Sequence, residues 1–286
     1  MSFTPKTQPF SGKINAVTLG TGDNAIVIGG QNVLPFYTFD APIENAPKIG
    51  VEVSDLASQW ETAGLKEYYA GCTTMADYAK KAEAIEGCDF ICLNFVGADP
   101  NGADRSVADC VADAKAVAEV VTKPIVVMGC KNLEKDGELL AALAEALTGK
   151  NVLVMSAKNE NYKTVGASVA LASGQKVGAE TADDINLAKQ LNIMMKGLNV
   201  NPASIVMDIG TAAVGYGYEY AASLSTTSVW LLCSRAMLTC RCLSWLPFAT
   251  TPGASRNPPH PLKTSPHGAA RKSAPSPWKS LPQQLT

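Results

Sequence analysis

No acidic residue follows Glu219 and no histidine precedes His260 in this chain of 286 residues. Those two absences divide it. The first 219 residues hold 17 basic and 26 acidic side chains, a net of −9, whereas the last 67 hold seven Lys or Arg and no acid, a net of +7. The formal total of −2 averages two unlike segments. Without histidine, the body has no imidazole to act as a general base or to ligate a metal. None of the eight cysteines (72, 88, 92, 110, 130, 233, 240 and 242) belongs to a CxxC pair, and five lie in or beside apolar runs such as Cys88-Asp-Phe-Ile-Cys92. They read as buried reduced thiols rather than metal or cluster ligands. The body's basic residues are scattered among carboxylates, which argues against nucleic-acid binding and leaves the tail as the only candidate for it. Met1 to Ser11 lacks a charged start followed by an apolar run, so no secretory signal is read and a cytoplasmic location is expected. The stretch from Val229 to Ala249 is apolar but contains Arg235 and Arg241, each costing roughly 2.5 to 3.5 kcal/mol at the middle of a membrane, so no spanning helix is expected.

What is present is a rhythm. Ile14 to Leu19 and Ala25 to Ile28, joined through Gly20-Thr-Gly22-Asp-Asn24, read as a β-hairpin lid within an N-terminal extension, residues 1–48. From residue 49, short β-branched runs begin at about 49, 90, 124, 151, 176 and 204. Between them lie segments with apolar residues three and four apart: Met75 to Ile85, Val107 to Val121, Leu139 to Leu147, Val165 to Leu171 and Ile185 to Met195. Thr181-Ala-Asp-Asp184 resembles a capping box ahead of Ile185. Strands alternating with helices imply right-handed βαβ units and a parallel sheet. A doubly wound sheet is one arrangement, but no GxGxxG follows Val51-Glu-Val53. A TIM (β/α)8 barrel fits better, with about six of its eight strand-helix units readable in residues 49–219.

The rhythm stops near Tyr220. Residues 220–286 contain three of the four tryptophans and, from Pro247 onward, nine of the 17 prolines, in a basic Pro/Ser-rich composition. Disorder and an expression artefact are two accounts of such a tail. A third is translation out of frame. Codons TGG-AAR-TCN for Trp278-Lys279-Ser280, read one base earlier, encode an apolar residue, Glu and then Ile or Val.

In a βα barrel the working residues stand at the carboxyl ends of the strands. Those positions are Glu52 and Asp55, Asn94 with Asp99, Cys130 and Lys131, Asn159-Glu-Asn161, Glu180, and Asp208 with Thr211. They form a ring of amides and carboxylates with no histidine, arginine clamp or metal triad. Such a ring suits hydrogen bonding to a large polar cofactor or amide-rich ligand better than hydrolysis. Asp99-Pro100-Asn101-Gly102 is also a turn signature, so a structural role for Asp99 stands beside ligand contact. Asp208 ends an apolar strand, where a buried carboxylate needs partners. Glu134 and Asp136 read as charges at a helix amino terminus. Gly215-Tyr-Gly217 reads either as a close-approach loop under a flat ligand or as a flexible connection.

Several of these segments resemble the small, delta-type subunit of the corrinoid iron-sulfur protein of the acetyl-CoA decarbonylase/synthase pathway. They are Leu34-Pro-Phe36, Ile49-Gly-Val-Glu-Val-Ser-Asp55, Gly97-Ala-Asp-Pro-Asn-Gly102, Met128-Gly-Cys-Lys-Asn-Leu-Glu-Lys-Asp136, Asn159-Glu-Asn-Tyr-Lys163, Asp184 to Ile193 and Gly215-Tyr-Gly-Tyr-Glu219. The resemblance runs in order from about residue 10 to residue 219. It implies a TIM barrel related to pterin-dependent methyltransferases, and a heterodimer with a large corrinoid iron-sulfur subunit that alone holds the iron-sulfur cluster. It also implies a cobalamin-type corrinoid shared with that partner. The implied role is to carry a methyl group on cobalt from methyltetrahydrofolate, through a methyltransferase, to acetyl-CoA synthase in carbon fixation. On that reading Asn94, Asp99, Asn159, Asn161, Asp208 and Thr211 would meet corrinoid amides or the partner, and no residue here would be catalytic by itself. A free-standing pterin-binding methyltransferase using Asn94 and Asp208 is the alternative, and a scaffold subunit a third. After Tyr220 the chain departs from the family pattern of further strand-helix units.

Overall fold

The computed structural model describes residues 12–34, 42–181 and 184–210, together with Glu219, Ser223 and the backbone of residues 243–245. The chain divides into a unit spanning Met1–Phe248, which contains all of these, and a second unit spanning Ala249–Thr286. The expected aberrant tail therefore lies almost wholly outside the described residues.

The chain opens with an antiparallel hairpin, β1 (Ala16–Leu19) and β2 (Ile26–Gly29), with Ala16 opposite Gly29 and Leu19 opposite Ile26. A parallel sheet follows: β3 (Gly50–Ser54), β4 (Phe90–Asn94), β5 (Ile125–Met128), β6 (Leu153–Ala157), β7 (Lys176–Glu180) and β8 (Ile205–Asp208). A three-residue β9 (Leu243–Trp245) lies parallel to β8. The strands neighbour one another in sequence order, β3 through β9. That order has no reversal, which removes the doubly wound alternative with its switch point. It is the order of a TIM barrel, in which each crossover returns to the adjacent strand. Among the described residues β3 and β9 are the two edges of the sheet.

Both faces of β4, β5, β6 and β8 are largely buried, which accounts for their high Val, Ile and Leu content. Outward residues such as Ile91, Leu93, Val127, Val154 and Ile205 pack against the helices. These are α1 (Ala63–Tyr68), α2 (Met75–Glu83), α3 (Val107–Val120), α4 (Leu133–Ala146), α5 (Tyr162–Val165), which continues as a π-helical segment Gly166–Ala172, and α6 (Ile185–Gly197). The reciprocal capping box is at Thr74 and Asp77 before α2, where each residue's backbone N–H donates to the other's side chain, at 3.2 and 2.9 Å. The box expected at Thr181 is not the cap of α6. Asp184 is, its Oδ1 accepting from Asn186 N at 2.7 Å, because a carboxylate at the residue just before the helix reaches those N–H groups directly.

Inward residues form a second cluster, in which Phe90, Cys92, Val126, Leu153, Met155 and Val206 meet Ile14, Val17, Leu19, Ile28 and Leu34 from the hairpin region. The hairpin is fixed to the amino ends of the strands. Asn151, just before β6, donates from Nδ2 to the carbonyls of Thr18 at 2.9 Å and Gly20 at 3.0 Å, and its own carbonyl accepts from Gly20 N at 2.9 Å. The expected hairpin is present, but it plugs the end of the sheet opposite the candidate site and is not a lid over that site. Gly20 allows this approach: its φ is +78°, and a Cβ there would stand 2.7 Å from Pro124 Cγ. Gly20→Ala is expected to cost about 1–3 kcal/mol, read as a lower urea midpoint. An unchanged midpoint would show that the plug does not need this contact.

Candidate functional site

The carboxyl ends of β3 to β8 carry the polar side chains, and the alternation of the strands selects which point inward. Phe90 and Cys92 of β4 belong to the inner cluster, so Asn94 shares their face. Register then places Ser54 beside Asn94, Asn94 beside Met128, Met128 beside Met155, and Glu180 beside Asp208. The inner thioethers of Met128 and Met155 give this end an apolar floor.

Around that floor the polar groups fall into linked sets. Asn94 Nδ2 donates to Glu52 Oε1 at 2.8 Å, joining β4 to β3. The Ser156 hydroxyl donates to Glu180 Oε2, and Lys158 Nζ stands 3.3 Å from Glu180 Oε1. Beside Glu180, Asp208 is buried, and its Oδ1 accepts from Gly210 N at 2.9 Å. Burial pushes its carboxyl up to about 7; the Gly210 N–H pulls down, Glu180 pushes further up, and Lys131 and Lys158 pull down. Asp208 is thus a carboxyl that exchanges its proton near neutral pH.

Other expected site residues are committed locally. Asp99 Oδ1 accepts from Asn101 N at 3.0 Å and from Asn101 Nδ2 at 3.2 Å, closing its own turn. Asn161 is buried and accepts from Lys158 N at 2.7 Å, holding the turn into α5. Asp55, whose side chain is fully buried, accepts from Gly97 N at 2.9 Å and from Arg105 Nη1 at 3.1 Å, and Arg105 also donates to Asp113 at 2.6 Å. An arginine clamp does exist, but it grips the protein's own carboxylates. Cys130 donates from its backbone N, at 2.8 Å, and from Sγ, at 3.2 Å, to Asp136 Oδ1. Asp136 is therefore more than a charge at a helix start: it is buried, and it ties the loop after β5 to α4. Burial pushes the Cys130 thiol up to about 11, so it stays protonated. Thr211 and the Gly215-Tyr-Gly217 loop lie outside the described residues.

Three buried polar atoms at this rim have no hydrogen-bond partner: Asn94 Oδ1, Asn159 Oδ1 and Thr181 Oγ1. Leaving such an atom unsatisfied costs about 1–3 kcal/mol, and natural proteins keep few of them. The three stand at or just beyond the ends of β4, β6 and β7. Sequence reasoning missed Thr181, Ser156 and Lys158. The latter two were legible only by extending the apolar run 151–155 by one strand period, since β6 continues to Ala157. Among the described residues no group of three or more His, Cys, Asp or Glu is placed to hold a metal ion.

Fold and rim together define a class: a singly wound parallel α/β protein with a barrel's strand order and a polar rim at the carboxyl ends. Within that class, the family model of the CO dehydrogenase/acetyl-CoA synthase delta subunit matches residues 16–228, and the chain belongs to that family. It is 34% identical over 227 residues to the delta subunit of the acetyl-CoA decarbonylase/synthase complex of Archaeoglobus fulgidus, covering 77% of this chain and 50% of that one. To the delta 1 subunit of Methanosarcina thermophila it is 33% identical over 204 residues, 71% of this chain and 46% of that one. To the Methanothermobacter thermautotrophicus delta subunit it is 30% identical over 227 residues, 78% and 58%. The chain spans about half the length of the curated relatives it matches. No helix among the described residues is long and apolar enough to cross a membrane.

Proposed function

We propose that this chain is the barrel subunit of a corrinoid methyl carrier within an acetyl-CoA decarbonylase/synthase system, and that it works in the cytoplasm. Its partner is a large corrinoid iron-sulfur subunit that holds the cluster. The methyl group comes from methyltetrahydrofolate through a separate methyltransferase and goes to acetyl-CoA synthase. The observation that supports this reading is the set of orphaned rim acceptors, above all Asn94 Oδ1 and Asn159 Oδ1. A corrinoid is a flat, largely apolar macrocycle fringed with primary carboxamides, whose N–H groups are the donors such acceptors lack. The Met128 and Met155 floor with a polar rim fits that shape.

When bound, the corrinoid supplies a cobalt centre that accepts and releases a methyl group. This chain's residues bind and orient around it. Asn94 and Asn159 accept hydrogen bonds from peripheral amides, and the protonated Asp208 can donate to an amide carbonyl. Asp99 and Asn161 hold the loops that frame the rim.

The second reading is a pterin-dependent methyltransferase acting alone. It is favoured by one observation, a buried carboxyl at Asp208 poised to exchange a proton with a heterocycle. Purification with and without the large subunit separates these readings. Cobalt and a corrinoid absorption spectrum that require both chains are expected. Methyl transfer by this chain alone would favour the pterin enzyme. Full corrinoid loading of the large subunit without this chain, at unchanged transfer rates, would leave only a scaffold.

A further inference from the structure

Asn94 presents one particular end of its amide to the rim, and Glu52 decides which. Glu52 Oε1 can only accept a hydrogen bond while ionised, so it holds the Nδ2 end of Asn94, at 2.8 Å. The Oδ1 end is left buried with no partner, on a residue that is 7% exposed. A free amide could offer either a donor or an acceptor by rotating. This one is locked as an acceptor.

Around the same rim Asn159 Oδ1 is a second buried acceptor without a partner. The carboxyl groups of Glu180 and Asp208 stand on adjacent strands. Of the nearby cations, Lys131 and Lys158 both act on Asp208; Lys158, just after β6, is also paired with Glu180 at 3.3 Å, and the Ser156 hydroxyl is spent on the same carboxylate. The two orphaned amide oxygens of the rim therefore seek donors, and the Glu52 carboxylate beside one of them repels anions.

Resting on the corrinoid reading, we propose that the rim discriminates primary carboxamides from carboxylates on the ligand periphery, with Glu52 as the positioning residue that sets the polarity of Asn94. An amide NH2 satisfies Asn94 Oδ1. A carboxylate in the same place meets a second acceptor and the Glu52 charge, with no proton between them. The ligand class assigned to the rim is thus a corrinoid amidated at the side chains that meet these acceptors, and acids at those positions are disfavoured.

The test uses the complex of this chain with its large partner, titrated separately with dicyanocobinamide, which carries side-chain amides, and with the dicyano form of cobyrinic acid, which carries carboxylates. Binding is followed by absorption. The amide form is expected to bind about tenfold tighter or more, the scale of one unsatisfied buried acceptor. Glu52→Gln frees Asn94 to turn its NH2 toward the ligand, so the ratio should fall toward one, chiefly through tighter binding of the acid. Asn94→Leu should weaken the amide form without strengthening the acid, which keeps the test open if the Glu52 variant fails to fold. Equal affinity of the wild-type complex for both probes, or an unchanged ratio in Glu52→Gln, would overturn the proposal while leaving the corrinoid reading intact. Binding of neither probe would end both.

Discussion

Asp55→Ala is expected to lower stability by about 3–5 kcal/mol, the range found when one partner of a buried ion pair is removed. The carboxylate is fully buried at the end of β3, where its two oxygens take the Gly97 N–H and one arm of Arg105. Alanine leaves a buried N–H without an acceptor and a guanidinium held by Asp113 alone. Asp55→Asn keeps an acceptor for Gly97 but sets an NH2 against Arg105 in place of the second oxygen, so its loss should be smaller than that of alanine without being small. Urea unfolding of both variants checks this ordering. Equal and small losses would show that Arg105 relaxes to water and that the clamp adds little to the fold.

Asp208 should make stability fall as pH rises from about 4 to about 7. Its carboxyl titrates near 7 in the folded chain, because burial penalises the charged form, against about 3.9 in an unfolded one. Between those values the folded state holds a proton that the unfolded state has released, so raising the pH favours unfolding. The total effect is on the order of 4 kcal/mol at most, and the curve flattens above about 7. Asp208→Asn should remove this slope and be the more stable form at pH 8.

Glu83 works in the opposite direction. Burial raises its carboxyl, but this is outweighed by hydrogen bonds from the Thr122 hydroxyl, Lys80 and the N–H groups of Lys123 and Thr122, which hold it down at about 2. Its contribution is present above about 4.5 and is lost as pH falls toward 2. The two groups therefore act in separate windows. A carbon-13 titration of the Asp208 carboxyl gives the direct reading, and a midpoint near 4 would contradict the buried placement.

The six main strands were legible because each is a short β-branched run, and none of them shifts by more than a few residues in the structure. Their order in the sheet was legible only indirectly, through the missing GxGxxG after the first strand, which favoured a barrel. Alternating βα units serve a barrel and a doubly wound sheet alike, and only the pairing of each strand with its sequence neighbour decides between them. The hairpin was read correctly as local structure but placed at the wrong end, because its anchors, Pro124 and Asn151, lie more than a hundred residues away. Helix α1 had no signal, since none of its residues is buried. At the rim, strand-end position found Asn94, Asn159 and Asp208. It could not separate them from Asp55, Asp99 and Asn161, whose oxygens are bound by Arg105, Asn101 and the Lys158 N–H. Spacing identifies a polar residue at a strand end, but whether that residue is free for a ligand depends on partners that the sequence does not display.

If the orphaned rim acceptors serve a corrinoid, as proposed, Asn159→Ala gives two readings of opposite sign. Deleting a buried atom that has no partner should leave the melting temperature of the chain unchanged or slightly raised. In the complex with the large subunit, the same change should weaken corrinoid retention by about tenfold, measured as cobalt bound per complex against added dicyanocobinamide. Cobalt retained with wild-type affinity would contradict a corrinoid-binding role for Asn159, and so would a loss of cobalt accompanied by an equal loss of folding stability.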